Sequence, residues 1–242
     1  YNFFKLKGWK RSEWGYQAAV FSSKAIDMSH VGLSAVRRRS QTNQDENTMN
    51  ITDSIFNITS NPSIWAGNLP VDEALVDALY SQPNLETVEQ LVDPVHRYSS
   101  GIRVGNMLVS RTYSLLDVKE AAIMKFKSVI INCLETFTDT PIFVSESFFN
   151  IYSTNSDANP HKHLNTIDID LGLQPQKFSL VYYLRLGDAT GFKPGELKFD
   201  DFEYSIMPKE GDIILFPSDF THSASYDGAA DRVILGINFY KI

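Results

Sequence analysis

Sulfur is nearly missing as a chemical tool in this chain: among 242 residues, Cys133 is the only cysteine. One thiol makes neither an internal disulfide nor a thiolate zinc site, so a reducing, cytoplasmic setting is expected and any metal chemistry falls to histidines and carboxylates. A basic excess is lacking as well, with 22 Lys+Arg against 29 Asp+Glu and a formal net charge of −7. No nucleic-acid partner is therefore expected, and the short run Arg37-Arg38-Arg39 reads as a solvated turn beside a helix. No stretch reaches the roughly 18 apolar residues that span a bilayer, and no charged start leads into an apolar block, so no membrane association is expected. The chain opens on Tyr1 rather than Met, as a processed or trimmed chain would. Asn50-Ile-Thr52 and Asn57-Ile-Thr59 fit the glycosylation acceptor pattern, but nothing else in the sequence suggests secretion.

What is present is material for a large core: 43% of the residues are hydrophobic and 12% aromatic. Disorder and fibrous repeats are excluded on that count, and one compact unit with a helical extension is the expectation. Residues 1–60 combine an aromatic opening (Phe3, Phe4, Trp9, Trp14, Tyr16) with a polar stretch from Ser40 to Asn50 that reads as a surface loop. From Pro70, the apolar residues Val71, Ala74, Leu75, Ala78 and Leu79 fall at helical spacing behind an acidic first turn. A second short helix is expected over Asn84–Val92, stopped by Pro94. A third, over 115–137, keeps Leu115, Val118, Ala122, Ile123, Phe126, Ile130, Leu134 and Phe137 on one stripe and reads as core-facing.

After Pro141 the pattern changes to short apolar or alternating runs: Ile142–Ser147, Phe148–Ser153, Phe178–Leu186, Glu196–Phe199, Tyr204–Met207, Asp212–Phe216 and Arg232–Tyr240. Turn clusters such as Gly187-Asp188, Pro194-Gly195 and Asp227-Gly228 separate them, which suggests a β-sandwich or barrel. Two of the strands look buried on both sides. One face of Phe178–Leu186 carries Leu180, Tyr182, Leu184 and Leu186, and the other carries Ser179, Val181, Tyr183 and Arg185. Likewise Val233, Leu235, Ile237 and Phe239 oppose Arg232, Ile234, Gly236 and Asn238. In both strands the apolar set is expected to meet the helices while the mixed set faces an interior cavity. Arg232 then points a charge into a pocket, where it needs an anion.

Three of the five histidines lie in this β-region. In His161-Lys162-His163 the i and i+2 side chains of an extended strand share one face, so both imidazoles can reach one metal while Lys162 points away. His222 follows the Gly211–Ser218 segment, and Arg232 comes ten residues later. His30 and His96 read as ordinary surface or core residues and are left unassigned. The His-x-His pair, the distal His222, the spacing to Arg232 and the Tyr182-Tyr183-Leu184 strand together point to a metal site.

The stretch from about Phe148 to Tyr240, two fifths of the chain, resembles the double-stranded β-helix core of the Fe(II)/2-oxoglutarate-dependent dioxygenases, in particular their prolyl-hydroxylase-like branch. The resemblance is carried by Asn150-Ile-Tyr152, His161-Lys-His163, Ser179-Leu-Val-Tyr-Tyr-Leu184, Gly195-Glu-Leu-Lys-Phe199, Pro208-Lys-Glu-Gly211, Leu215-Phe-Pro-Ser218, Thr221-His222-Ser223 and Asp231-Arg232-Val233. It implies an α+β protein: a jelly-roll, cupin-like core over residues 141–242, with a helical N-terminal region, residues 1–140, packed on one sheet. It also implies that His161 and His222 bind iron, that Arg232 pairs with the far carboxylate of 2-oxoglutarate, and that Tyr152 and Tyr183 line the cosubstrate pocket. A facial set of ligands leaves positions open for a bidentate 2-oxo acid and then O2, and a guanidinium fork suits a carboxylate.

One position departs from the pattern. Where the family's usual second ligand is Asp or Glu, this chain has His163; some members resemble it in carrying His-x-His. Three neutral imidazoles leave the ion at +2, whereas a carboxylate would lower that charge. The alternative is that Asp157, Asp168 or Asp170 supplies an oxygen in place of His163. Because His163 is large and can itself coordinate, hydroxylation is favoured over halogenation. The expected reaction converts 2-oxoglutarate to succinate and CO2 while hydroxylating an unactivated C–H of an amino acid, a peptidyl residue or another small molecule. Two other readings stay open: a cupin-like protein that binds metal or a small ligand without turnover, and a three-His cupin dioxygenase that does not use 2-oxoglutarate. The loops Asn165–Gln176 and Asp188–Pro194 are expected to border the pocket mouth. The N-terminal helices leave sheet cover, dimerisation and partner binding open.

Overall fold

In the computed structural model the described residues are 55–81, 85–87, 102–110 and 113–242, all within the unit Met49–Ile242. The aromatic opening, the Arg37-Arg38-Arg39 run, the polar stretch to Asn50, His30 and His96 lie outside them. The strands are β1 (Asn57–Ile58), β2 (Trp65–Asn68), β3 (Leu85–Thr87), β4 (Arg103–Ser110), β5 (Ile142–His161), β6 (Lys177–Arg185), β7 (Leu197–Phe199), β8 (Tyr204–Ile206), β9 (Asp212–Pro217), β10 (His222–Tyr226) and β11 (Arg232–Lys241). They pair in the order β1-β2-β9-β6-β11-β5-β10-β7-β8, with β4 along the second half of β5 and β3 beside β4. Every strand pairing is antiparallel. The result is the jelly-roll half of an α+β architecture.

Helix α1 (Glu73–Tyr80) starts where the Asp72 carboxylate accepts the Ala74 N–H at 3.0 Å, and it buries Leu75, Val76, Ala78 and Leu79. Helix α2 (Ala121–Thr138) starts where the Glu120 side chain accepts the Ile123 N–H at 3.0 Å, and it ends at Asp139 in the left-handed conformation. Ile123, Phe126, Ile130, Cys133 and Leu134 of α2 pack onto Leu180, Tyr182 and Leu184 of β6 and Val233, Leu235, Ile237 and Phe239 of β11. Phe126 stacks on Tyr182 with ring centroids 5.4 Å apart. The opposite faces of the same strands meet a second cluster, with Met107, Val109, Tyr152, Tyr183, Phe199, Ile214, Phe216 and Ile234 inside the barrel. The two-sided reading of both strands therefore holds along most of their length.

It fails at one end of β6. Arg185 turns to the helix side, where it pairs with Glu73, and Leu186 packs on the interior cluster. The cause is a register irregularity between Val233 and Ile234, opposite Arg185 and Tyr183, which places one extra residue in β6 and inverts the alternation beyond it. Other expectations also need correction. The helix expected over 115–137 is two pieces, because Leu115–Asp117 forms a single 3₁₀ turn and Val118 leaves it in an extended conformation. Of the helix expected over Asn84–Val92, only Leu85–Thr87 is described, and it is strand β3, whose pairing with Leu108–Ser110 overrides a weak local preference; the remainder lies outside the described residues. The region before residue 141, expected to be helical, also contributes four strands. Ile142–Ser147 and Phe148–Ser153 belong to one continuous strand, and β10 was not foreseen.

Candidate active site

The end of β5 and the start of β10 are neighbours: His222 lies directly opposite His161 in the antiparallel register. Two residues past His161, His163 is held by its own backbone N–H, which donates to the Ser218 carbonyl at 3.0 Å. Three imidazoles thereby converge, with ring centroids 4.3 Å apart for His161 and His222 and 5.0 Å for each of the other two pairs. One nitrogen from each ring lies within 4.8 Å of the other two. Lys162, between them, points outward to Asp201.

Hydrogen bonds orient two of these rings. Nδ1 of His161 is 2.7 Å from the Asn159 carbonyl and Nδ1 of His222 is 3.1 Å from the Phe220 carbonyl. A carbonyl can only accept, so each Nδ1 carries the proton and each Nε2 presents its lone pair, the arrangement that supports metal-bound imidazole. The Phe216 ring meets His222 edge-on at 4.8 Å, and the Phe148 ring lies 6.1 Å from His163. Phe148 has room there because Gly236 faces it: a Cβ on Gly236 would sit 2.5 Å from the ring.

Burial sets the protonation state. It pulls the His222 imidazole down to about 3, with repulsion from His161 adding to it. Burial, then repulsion from His222 and His161, holds His163 well below its ordinary value, and burial also lowers His161. All three are neutral at pH 7. Each then takes up a proton in the unfolded chain as pH falls through about 6.5, while the folded cluster resists it. Below that pH the unfolded state binds more protons, so the metal-free protein is expected to lose stability as pH falls from about 6.5 toward the His222 value of about 3, and to hold a plateau above. Thermal midpoints across that window check this. The slope should be shallower in His222→Gln, and a flat wild-type profile contradicts the account.

Among the described residues no carboxylate joins the histidine group. Asp168 is committed elsewhere: it accepts from Lys177 Nζ at 2.8 Å and from the Tyr240 hydroxyl, and it forms a capping box with Asn165 at the start of α3 (Thr166–Asp170). This fully buried ion pair pins the 165–176 segment to the barrel. Asp157 pairs with Lys193 at 3.1 Å through one oxygen, and Asp170 is exposed.

The second group sits where β11, β5 and β6 run together. Arg232 is opposite Tyr152 on β5, and Ile234 is opposite Tyr183 on β6. The guanidinium is only 2% exposed, lies 5.2 Å from the Tyr183 ring centroid and makes one long hydrogen bond, 3.5 Å, to the Pro194 carbonyl. No carboxylate among the described residues pairs with it. Burial raises both phenols above their ordinary range despite the nearby Arg232, so both keep their protons and can donate. Gly195 makes room for the guanidinium: its φ is +87°, and a Cβ there would fall 1.6 Å from Arg232 Nη1.

Sequence reasoning missed two polar groups in this interior. Asn150, on β5 with Tyr152, is buried with its side-chain oxygen unpartnered. Arg103, on β4, is buried beside Phe148. No periodic signal marks Arg103, because Val104 and Leu108 interrupt any alternation of Arg103, Met107 and Val109 with polar residues.

No family model matches the chain, and no curated protein matches it. Solved structures do. The viral collagen prolyl hydroxylase of Paramecium Bursaria Chlorella virus-1, in its 2OG complex, is 14% identical, with a TM-score of 0.51 over 77% of this chain and 100% of that one. HygX from Streptomyces hygroscopicus, with nickel, 2-oxoglutarate and hygromycin B bound, is 12% identical, with a TM-score of 0.50 over 74% of this chain and 83% of that one. The chain thus shares the fold of those two structures, a double-stranded β-helix. No helix among the described residues is long and apolar enough to cross a membrane.

Proposed function

We propose that the chain is an Fe(II)- and 2-oxoglutarate-dependent dioxygenase that hydroxylates an unactivated C–H of an amino acid, a peptidyl residue or another small molecule. What carries this reading is the pairing, inside one barrel, of a neutral three-imidazole cluster with a buried arginine that has no carboxylate partner among the described residues. The residues fit the groups they would hold. His161, His163 and His222 offer nitrogen donors suited to a borderline ion such as Fe(II), with two rings already in the metal-binding tautomer. Bound iron would supply, with O2 and the 2-oxo acid, the oxidising power for hydroxylation as 2-oxoglutarate becomes succinate and CO2.

The remaining work belongs to the protein. Arg232 binds and orients the far carboxylate through its planar fork, and the protonated phenols of Tyr152 and Tyr183 donate to the same anion. The apolar interior around Phe199, Phe216 and Ile234 excludes water, which strengthens those contacts. The buried Cys133 thiol, raised by burial, fits a reducing, cytoplasmic setting. The test is succinate formation from 2-oxoglutarate under air, with Fe(II) added and withheld. Iron-dependent succinate is the expected result. Metal binding without succinate, with or without candidate substrates, would favour a non-catalytic cupin-like binder, and oxidation of a substrate without 2-oxoglutarate would favour a three-His cupin dioxygenase.

A further inference from the structure

The interior holds one more cation than the proposed chemistry uses. Among the described residues the buried, fully charged side chains are Arg103, Asp168, Lys177 and Arg232. Lys177 and Asp168 neutralise each other, which leaves two arginines without a carboxylate. A 2-oxoglutarate dianion places one carboxylate on Arg232 and the other on the metal side. With three neutral imidazoles around a divalent ion, the site then carries two ligand charges against four: +2 from the ion and +1 from each arginine. A net charge of about +2 in a low-dielectric interior calls for a further anion.

Arg103 is the group placed to receive it. It is 6% exposed, and its guanidinium lies 5.1 Å from the Phe148 ring centroid and 5.5 Å from that of Tyr113, without an ion pair among the described residues. Two cation–π contacts do not offset what burying a charge without an ion-pair partner costs. Its position is at the metal end of the barrel. Ala158, three residues before His161, is flanked by Arg103 on β4 and by Ala224 on β10, two residues past His222. Phe148 in turn lies against His163, and the Arg103 charge is felt at His161, His163 and Tyr152. Arg232 enters from the other flank of β5, opposite Tyr152, six register positions away. The two arginines therefore serve different ends of the interior.

We propose that Arg103 binds a carboxylate of the substrate that is hydroxylated, so that the substrate is a free acid, such as an amino acid with its carboxylate intact, and not an internal peptidyl residue. This rests on the dioxygenase reading of the same site and adds the class of substrate to it.

The test uses protein loaded with Co(II), which is paramagnetic, and saturated with 2-oxoglutarate so that Arg232 is occupied. Acetate and acetamide, nearly equal in shape and different in charge, are then titrated, and the relaxation of their methyl protons reports approach to the metal. Acetate should be relaxed and acetamide should not. Arg103→Gln should reduce the acetate effect by about tenfold or more while leaving 2-oxoglutarate binding, read from the Co(II) absorption spectrum, unchanged; Arg103→Lys should fall between. Because burying the Arg103 charge costs more than its two ring contacts return, Arg103→Met should melt no lower than the wild type without ligands. Equal relaxation by acetamide, or an undiminished acetate effect in Arg103→Gln, overturns the proposal. So does a loss of 2-oxoglutarate affinity in that variant, which would assign Arg103 to the cosubstrate. Failure of the wild type to bind Co(II) and 2-oxoglutarate overturns the dioxygenase reading itself, and this proposal with it.

Discussion

Arg232→Gln should weaken 2-oxoglutarate binding by about 30-fold or more, the equivalent of the ~2–5 kcal/mol lost when one partner of a buried charge pair is removed. The size follows from the surroundings of the guanidinium. It is buried against Tyr183, has no carboxylate among the described residues, and donates to the Pro194 carbonyl at a long 3.5 Å. A dianion that settles there recovers an interaction that the empty protein lacks. Glutamine keeps part of the volume and one donor but loses the charge and the fork, and Arg232→Lys restores the charge alone, so it should recover part of the affinity. Calorimetric titration with 2-oxoglutarate and Ni(II) reads the effect without turnover. Undiminished affinity in Arg232→Gln would remove Arg232 from the cosubstrate site.

Gly195→Ala should produce a loss of similar size without removing any charge. A residue with a Cβ is strained at φ +87°, and the Cβ would stand 1.6 Å from Arg232 Nη1 and 2.6 Å from Cζ. The backbone strain costs about 1 kcal/mol. The steric conflict is relieved by the flexible arginine, which must swing off Tyr183 and out of line with the pocket. Stability therefore falls modestly while cosubstrate affinity falls steeply. The double variant Gly195→Ala/Arg232→Gln should bind no worse than Arg232→Gln alone, because both changes remove the same contact. Additive losses in calorimetry would mean that Gly195 acts through something other than Arg232.

How far the sequence carried this account differs between elements. The inward faces of β6 and β11 were readable because period-two alternation survives burial on both sides when one set is uniformly aliphatic or aromatic and the other holds Arg232, Gly236 and Asn238. The i and i+2 spacing of His161 and His163 pointed to one shared face, but β5 ends at His161, and His163 is placed by its backbone N–H on the Ser218 carbonyl. The convergence of His222 depended on a pairing that no local pattern records, since His222-Ser-Ala-Ser-Tyr226 is too polar to announce a strand. Arg103 escaped for a related reason. Its strand gains its identity from pairing with β5, a contact between residues some fifty positions apart, and a lone arginine before a valine looks like surface until burial is known. Leu85–Thr87 shows the converse, where local helix preference yields to tertiary pairing. The inversion at Arg185 came from a bulge, which shifts every later side chain to the other face.

Among the described residues no carboxylate joins the three histidines, which gives the proposed metal site its particular character. With Asp168 locked to Lys177 and Tyr240, and Asp157 to Lys193, the positive charge of the ion is left to bound anions. Metal retention should therefore depend on 2-oxoglutarate more than in a site with an aspartate ligand.

The most direct measurement is anomalous scattering from crystals grown without oxygen in Fe(II) and 2-oxoglutarate, with data collected on both sides of the iron absorption edge. The account predicts one strong iron peak bounded by the Nε2 atoms of His161 and His222 and a ring nitrogen of His163, with 2-oxoglutarate reaching from that peak to Arg232. A peak that lacks His163, or no peak between the three rings, would contradict it.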